Sequence, residues 1–429
     1  MSDGTLQILD ITMLDDVGTG ANQLIQLDSN AKIPACSGAA VTGLSSVTKN
    51  ASDPTIATNP SGGIGSVWQN TTSGEMFICT DATAGGNTWT NVGAGSGNVA
   101  PWTHPGTTSG YCVGGYHWSA STPYGYGSIP RINVFSFTTD GNATSHGDLA
   151  ITTAKSNAAS THGMEGTGAS SAPHGYVMGA MDYPTTSTIV EKFAFATINS
   201  SAEVGNIAEP TMYTRGQGFS DGTQGFLAGG NRYIGAVHSL TDMIQTYNFA
   251  SDTGADTTKN LTNTRDHGVA CQTGTNGYVC GGSTATSSTM TRMIETFTFA
   301  STNHGVDVGD LTRDKRESCG TSSTTHGYVI GGTNTFPVGS SHAGVDKFQF
   351  AASVTSSEPF NLSAGNGNQG QYTSSVGVSS TNYGYVCGEY HWPSQGRTSM
   401  EKITYASDSA AAHVGTLTLP TCNASGAQY

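Results

Sequence analysis

The sequence repeats one short stretch, Gly277-Tyr278-Val279-Cys280-Gly281-Gly282, in six versions. Each version has a leading glycine, an aromatic residue, a short apolar run and a closing glycine, and the leading glycines are Gly110, Gly175, Gly225, Gly277, Gly327 and Gly384. These glycines are 65, 50, 52, 50 and 57 residues apart. A period of this size is typical of repeat architectures, in which every unit adds its own core.

Three further signals accompany each copy of the stretch. The first is an aromatic strand, and its six copies end at Phe137, Phe195, Phe249, Phe299, Phe350 and Tyr405. The second is a polar residue followed by an aliphatic one, and the aliphatic residues are Leu149, Ile207, Leu261, Leu311, Leu362 and Leu417. The third is a short strand before the glycine, such as 317–323. Four strands in about 50 residues predict an all-β fold built from four-stranded blades.

The repeat unit resembles a kelch repeat. The resemblance depends on the Gly-Gly doublet after a Tyr-Val strand, on the aromatic strand after a variable loop, and on a basic residue opening the next unit. That basic residue corresponds to Arg215, Arg265 and Arg313 or Arg316. The resemblance implies a six-bladed, kelch-like β-propeller. The glycine doublets predict positive φ and close approach of neighbouring chain rather than a phosphate loop, since none opens a helix.

The end of the chain supplies the strand that the first unit lacks. Residues 417–426 match the strand that precedes each repeated stretch, with Cys422 at the position of Cys319. The C-terminal strand is therefore expected beside the strand at Tyr111. This pairing would close a ring and remove the free sheet edges.

Composition narrows the classes of function. The 429-residue chain contains 58 glycines, has 11% charged residues and carries a net charge of −14. An acidic chain without basic clusters is a poor candidate for nucleic-acid binding. No stretch is long and apolar enough for a membrane span, and residues 1–5 lack signal-peptide features. The eight cysteines form no CxxC pair and are expected to be small buried residues.

Residues 1–101 lie outside the repeat. Residues 24–35, with Thr42-Gly43-Leu44, resemble the stem of bacteriophage tail fibres, which implies a homotrimer. Residues 68–81 and 87–93 look like three short strands and resemble segments of phage structural proteins, with Trp68 and Trp89 as core residues. We therefore expect a stem over 1–50, a small β module over 51–93, a linker over 94–101 and the propeller over 102–429.

The candidate binding residues are aromatic and lie in the variable loops. One loop carries Tyr116, His117 and Trp118, and another carries Tyr390, His391 and Trp392. Ring closure would make these loops neighbours and form one aromatic patch suited to stacking on a sugar, which Tyr124, Tyr126 and Tyr233 would extend. The alternative is that these aromatics pack the loops or a contact between subunits.

Signals for catalysis and metal binding are weak. Glu191, Glu295 and Glu401 share one repeat position and are interpreted as structural, and Glu165 and Glu317 share another. The histidines show no HExxH pattern, and no cofactor or metal is expected. A glycosidase would need two carboxyl groups at a set separation, and Asp182 and Glu389 show no evident partner.

The sequence thus predicts a binding protein of a phage virion. The stem would attach to other virion structural proteins, and the propeller would bind a host-surface glycan or protein, without nucleic acid. One alternative is a capsid-decoration or connector protein with a purely structural propeller. Another is a glycan-degrading tailspike enzyme.

Overall fold

The computed structural model describes residues 47–92, 104–117, 127–150, 165–182, 185–208, 213–234, 237–284, 289–334, 342–351, 353–362, 373–391 and 395–429. The chain divides into two compact units, Met1–Pro101 and Trp102–Tyr429. The predicted all-β class is confirmed, because the described residues form strands and contain no α-helix. No helix in this part of the chain could cross a membrane.

The first unit contains one four-stranded sheet. Its strands, in sheet order, are Val47–Asn50, Val67–Asn70, Met76–Asp81 and Thr88–Asn91. One face buries Trp68, Phe77 and Trp89, and the two tryptophan rings meet edge to face at 5.9 Å. These tryptophans are core residues, as predicted. The edge strand Val47–Asn50 lies within the range predicted as stem and pairs parallel with its neighbour.

The second unit contains six four-stranded antiparallel sheets, one for each repeated stretch. We number them 1 to 6 and give the strands of each in sheet order. Sheet 1 consists of Ser425–Gln428, Ser109–Val113, Arg131–Ser136 and Thr144–Asp148. Sheet 2 consists of Thr167–Ser170, His174–Asp182, Thr185–Ala194 and Ala202–Asn206. Sheet 3 consists of Gln217–Ser220, Gln224–Ala228, Met243–Asn248 and Thr253–Asn260.

The other three sheets repeat this order. Sheet 4 consists of Val269–Gln272, Asn276–Cys280, Met293–Thr298 and Val306–Asp310, with Val354–Thr355 added at its edge. Sheet 5 consists of Cys319–Ser322, His326–Ile330, Gly344–Gln349 and Ser357–Asn361. Sheet 6 consists of Val376–Ser379, Tyr383–Cys387, Gln395–Thr404 and Ala412–Thr421. In every sheet the repeated stretch forms the second strand.

The C-terminal strand completes sheet 1. Ser425–Gln428 pairs antiparallel with the strand at Tyr111, which confirms that the C-terminal strand lies beside the first repeated stretch. The predicted register was wrong by three residues. Ser425, not Cys422, matches Cys319, because Ser425 pairs with Val113 as Cys319 pairs with Ile330. Similar small residues at neighbouring positions left the register ambiguous in the sequence.

A cycle of hydrogen bonds joins the first strands of the six sheets. In each, the backbone N–H of the last residue donates to a side-chain oxygen of the equivalent residue in the next sheet, at 2.8–3.0 Å. The residues, in order, are Ser170, Ser220, Gln272, Ser322, Ser379 and Gln428, and Gln428 donates back to Ser170. The first strands therefore surround a common axis.

Apolar side chains fill the space between adjacent sheets. Between sheets 3 and 4, for example, Phe226 stacks on Phe299 with ring centroids 4.6 Å apart, and Phe219 meets Phe297 edge to face at 5.2 Å. The seven cysteines of the described residues are free and buried, as predicted for small core residues. Sheets with two buried faces explain why the strands are apolar or small on both sides.

Buried polar groups also link the sheets. The Glu191 carboxylate of sheet 2 accepts a hydrogen bond from the Ala150 N–H, which follows sheet 1, at 2.9 Å. Glu295 of sheet 4 likewise accepts from Thr262, which follows sheet 3. The structural interpretation of these glutamates is therefore confirmed. The aliphatic residue that precedes each donor, such as Leu149 or Leu261, is also buried.

Two cations reinforce these links. Arg265 pairs with Glu295 and Lys315 pairs with Asp346, and all four side chains are buried. The predicted equivalence of Arg215 with Arg265 was wrong. Arg265 and Lys315 lie four residues before their first strands, whereas Arg215 lies two residues before Gln217–Ser220.

The glycine doublets behave as predicted. Gly281 has a φ of 61°, and a Cβ there would lie 2.6 Å from the carbonyl oxygen of Lys315, which leads into sheet 5. The second strands end at the sheet edge where the first strands begin, because first and second strands are antiparallel. Short additional strands lie at that edge: Tyr116–His117, Gly127–Ser128, Tyr213–Thr214, Asn231–Ile234, Val237–Leu240 and Tyr390–His391.

Candidate functional site

A narrow channel of about 180 Å³ runs between the first strands of all six sheets. At the edge that carries the variable loops, one residue from each sheet lines it: Gly166, Gly216, Gly268, Ser318, Ser375 and Ala424. We call this end the channel mouth. The repeat therefore brings the starts of the six first strands together at one place.

The residues directly before these lining residues form a ring with unusual backbone geometry. All six are non-glycine residues with φ between 50° and 60°. They are Glu165, Arg215, His267, Glu317, Ser374 and Asn423. Backbone hydrogen bonds of 2.8–3.2 Å connect five of the six adjacent pairs, for example from the Glu317 N–H to the His267 carbonyl oxygen. We call these six residues the mouth ring.

Charges alternate around the part of the mouth formed by sheets 2 to 5. Arg215 Nε lies 2.7 Å from Glu165 Oε2, and Arg215 Nη1 lies 3.9 Å from Asp266 Oδ2. Arg316 Nη2 lies 3.4 Å from Glu317 Oε1. The order is thus Glu165, Arg215, Asp266, Arg316 and Glu317. We call these five residues the charged arc.

Asp266 is the centre of the charged arc. Burial alone would raise the pKa of its carboxyl group, but the hydrogen bond from His267 and the charges of His267, Arg215 and Arg316 outweigh burial and lower it. Asp266 Oδ1 lies 3.1 Å from His267 Nδ1. The carboxylate therefore stays charged and holds the two arginines in one network.

The remaining part of the mouth, formed by sheets 6 and 1, carries two tyrosines. Burial raises the pKa of Tyr116, and the neighbouring Cys422 and Tyr390 raise it further. Burial also raises the pKa of Tyr390, with contributions from Cys422 and Glu317. Tyr116 and Cys422 exchange backbone hydrogen bonds of 2.8 and 3.1 Å, and the Tyr390 N–H donates to the Thr373 carbonyl oxygen at 2.9 Å. Cys422 and Thr373 each precede a residue of the mouth ring, so both tyrosines, one from each predicted loop, lie next to that ring.

Cys422 lies next to the mouth-ring residue Asn423 and bonds to Tyr116 through its backbone. Burial raises the pKa of its thiol to about 12, and the charges of Glu165 and Glu317 contribute. A thiol that stays protonated is a packing group here rather than a nucleophile.

The predicted site residues are only partly described. Tyr116 and Tyr390 are described, and both lie at the channel mouth. His117, His391 and Tyr233 are placed by their backbone, on the strands Tyr116–His117, Tyr390–His391 and Asn231–Ile234, and their side chains lie outside the description. Trp118, Tyr124, Tyr126 and Trp392 fall outside the described residues. The aromatic patch as a whole stays a prediction.

The sequence interpretation missed the charged arc. It treats Glu165 and Glu317 as structural residues at one repeat position, and it places Arg215 at the position of Arg265. A signal was present, because each unit has a polar residue two positions before its first strand, although the side chain differs from unit to unit. No group of three metal-ligating side chains occurs within the described ranges.

Glu389 adds a titrating group next to Tyr390. It replaces the second glycine of the doublet in sheet 6, and Arg397 Nε lies 4.0 Å from its Oε1, a partner that the sequence interpretation missed. Burial raises the pKa of Glu389 to about 7, against the effect of Arg397 and aided by Glu401.

Stability is therefore expected to depend on pH through Glu389. The folded protein keeps the proton up to about pH 7, whereas the unfolded chain releases it near the ordinary value of 4.5. Between these values the free energy of unfolding should fall as pH rises, by up to about 1.4 kcal/mol per pH unit. Urea unfolding of wild type and Glu389→Gln at pH 5, 6, 7 and 8 measures the difference. Parallel curves for the two proteins would contradict the assignment.

Comparison with known proteins supports the fold and leaves the function open. No protein-family model matches the chain, and no curated protein matches it. The solved structure of YjhT is similar with a TM-score of 0.51 and 11% sequence identity. The match covers 61% of this chain and 86% of YjhT. At this identity the likeness concerns the fold alone.

Proposed function

We propose that residues 102–429 form a six-bladed, kelch-like β-propeller in which each of the six sheets is one blade. The closed cycle of hydrogen bonds through Ser170 and Gln428 supports this arrangement. So does the pairing of the C-terminal strand with the first repeated stretch. A closed ring leaves no sheet edge at the axis and holds the loops of all six blades at one mouth.

The proposed function is binding, without catalysis, by a virion appendage of a bacteriophage, such as a tail fibre. The propeller would bind a host-surface glycan or a neighbouring virion protein at the channel mouth. One observation carries this proposal: Tyr116 and Tyr390, which are 274 residues apart in sequence, both lie at the channel mouth, where Tyr116 bonds to Cys422 and the Tyr390 N–H donates to the Thr373 carbonyl oxygen at 2.9 Å. Aromatic side chains on a rigid scaffold are suited to stacking on sugar rings.

The proposed partners follow from the N-terminal region. Its resemblance to phage fibre stems supports attachment to other virion structural proteins and assembly as a homotrimer, and thus a place in the virion. The resemblance lies in residues 24–44, outside the described residues.

A second candidate is a connector protein whose contacts are structural. The four-stranded sheet of the first unit favours it, because Val47, Met76 and Ile78 are exposed side chains on that sheet. Val47 pairs with Val67, and Val67 with Ile78, so Val47 and Ile78 share one face. An apolar sheet face of this kind is suited to contact with another protein.

Adsorption tests the first candidate. Labelled full-length protein should adsorb to some strains of a bacterial panel, and the double variant Tyr116→Ala/Tyr390→Ala should adsorb at least tenfold less, because it loses both described aromatic contacts. Tyr383→Ala is the matched control, since this partly buried tyrosine begins the second strand of sheet 6 at the opposite edge. Equal adsorption by all three proteins would contradict the proposal, and adsorption by none would favour the connector.

A further inference from the structure

We infer that the mouth ring and the charged arc form a clamp for the terminal residue of a neutral, polyhydroxylated glycan. This inference rests on the proposed glycan-binding function and adds a site and a ligand class to it. It assigns binding roles to Glu165, Arg215 and Glu317 in addition to the predicted aromatic residues.

The backbone of the mouth ring adopts a conformation that favours glycine. A φ near +55° is strained for residues with a Cβ and suits glycine. This chain uses glycine at many other left-handed positions, including Gly114, Gly229 and Gly331. At the mouth, however, all six positions carry polar side chains. Strain that persists where glycine would relieve it indicates that the side chains themselves are needed.

The ion pairs do not by themselves account for these side chains. The side chains of Glu165, Asp266 and Arg316 are 9%, 7% and 8% exposed, and those of Arg215 and Glu317 are 26% and 15% exposed, so most of the network is buried. The cost of removing buried charges from water offsets much of their attraction, so such ion pairs add little net stability. Held in place by one another, however, such carboxylates and guanidinium groups form a preorganised set of acceptors and donors.

Three side-chain oxygen atoms near the mouth are buried without a hydrogen-bond donor among the described residues. Gln217 Oε1, Ser375 Oγ and Ser425 Oγ are buried and accept no hydrogen bond from any described residue. All three residues line the channel, within two positions of the mouth ring. Gln217 and Ser425 are 2% and 3% exposed. Buried polar atoms are normally satisfied, so these three oxygens are acceptors open to the hydroxyl groups of a ligand in the channel.

The balance of charge defines the ligand class. Three carboxylates and two guanidinium groups alternate in the charged arc, so neither a polyanion nor a polycation meets a field of one sign. Hydroxyl groups can donate to the carboxylates and accept from the arginines at the same time. Tyr116 and Tyr390 lie at the same mouth, each bonded through its backbone to the residue that precedes a member of the mouth ring, and they add aromatic side chains to it. This combination fits a neutral sugar.

The structure of the channel determines the end from which the glycan enters. At the end opposite the mouth, the cycle of hydrogen bonds holds the last residues of the first strands together, and His104 contacts Gln428 there. The ligand therefore enters from the mouth, with its terminal residue against the mouth ring and the charged arc.

Two measurements on the full-length protein test the clamp. The probes are the methyl glycosides of glucose, galactose and mannose, with methyl glucuronide and methyl glucosaminide as charged counterparts, and binding is followed by saturation-transfer NMR and calorimetry. We expect a neutral glycoside to bind best. Glu317→Gly should weaken that binding at least tenfold while the melting temperature stays unchanged or rises, because glycine relieves the strain and Asp266 still neutralises Arg316. Glu317→Gln should weaken binding less.

The control is Asp408→Gly, which replaces another left-handed residue in a turn away from the mouth, with a φ of 46°. It should leave sugar binding unchanged. Unaltered binding by Glu317→Gly, a fall in its melting temperature beyond that of Asp408→Gly, preference for a charged sugar, or no binding of any probe by wild type would each overturn the clamp. The proposed function fails separately, when wild type and Tyr116→Ala/Tyr390→Ala adsorb equally to cells.

Discussion

Glu295→Ala is expected to lower the free energy of unfolding by about 3–5 kcal/mol. Arg265 Nη2 lies 2.8 Å from Glu295 Oε2, and both side chains are 0% exposed. Removal of the carboxylate leaves a buried guanidinium without its counter-charge and the Thr262 N–H without its acceptor. Burial already lowers the pKa of Arg265 and raises that of Glu295, so each group depends on the other. Urea unfolding followed by circular dichroism measures the change.

The exposed pair Arg292–Asp310 provides the matched control. Its side chains are 56% and 54% exposed, and Arg292→Ala should stay within about 0.5 kcal/mol of wild type. The double variant Arg265→Met/Glu295→Met should lose less than Glu295→Ala, since no unpaired charge stays buried. A loss below about 1 kcal/mol for Glu295→Ala would show that solvent reaches the pair and that the sheets separate there.

Gly377→Ala is expected to lower the free energy of unfolding by about 3 kcal/mol. Gly377 lies in the first strand of sheet 6, and a Cβ there would overlap the carbonyl oxygen and backbone of Gly320 in sheet 5. Backbone atoms cannot move aside as a side chain can, so the two sheets would have to separate and weaken the ring. Thermal unfolding and denaturant titration of the full-length variant measure the loss.

Gly274→Ala is the control for this change, because a Cβ at Gly274 would meet nothing within 4 Å. It should leave stability within about 0.5 kcal/mol of wild type. Ala270 is an internal reference, since it pairs with Val279 as Gly320 pairs with Val329 and already carries a Cβ at the matching position of sheet 4. Full stability of Gly377→Ala would mean that sheets 5 and 6 do not approach as closely as described.

Local periodicity explains what could be predicted. The second strands are apolar, follow a glycine and end in glycine, and these features follow from the needs of each strand alone. The prediction of an all-β chain and of a C-terminal strand beside Tyr111 therefore succeeded. The register of that strand failed by three residues, because cysteine and serine at Cys422 and Ser425 are interchangeable as small buried groups. The predicted equivalence of Arg215 and Arg265 was wrong because both are basic residues that precede a first strand, but they lie two and four residues before it, respectively.

The sequence by itself determined the strand class, the number of repeated units and the structural role of Glu191 and Glu295, since these recur with the period of the chain. Only the tertiary structure showed that Glu165, Arg215 and Glu317 share a left-handed ring at the channel mouth. Backbone conformation repeats there while side-chain chemistry does not. Contacts between residues in different units depend on how the sheets surround the axis, and no single unit encodes that arrangement.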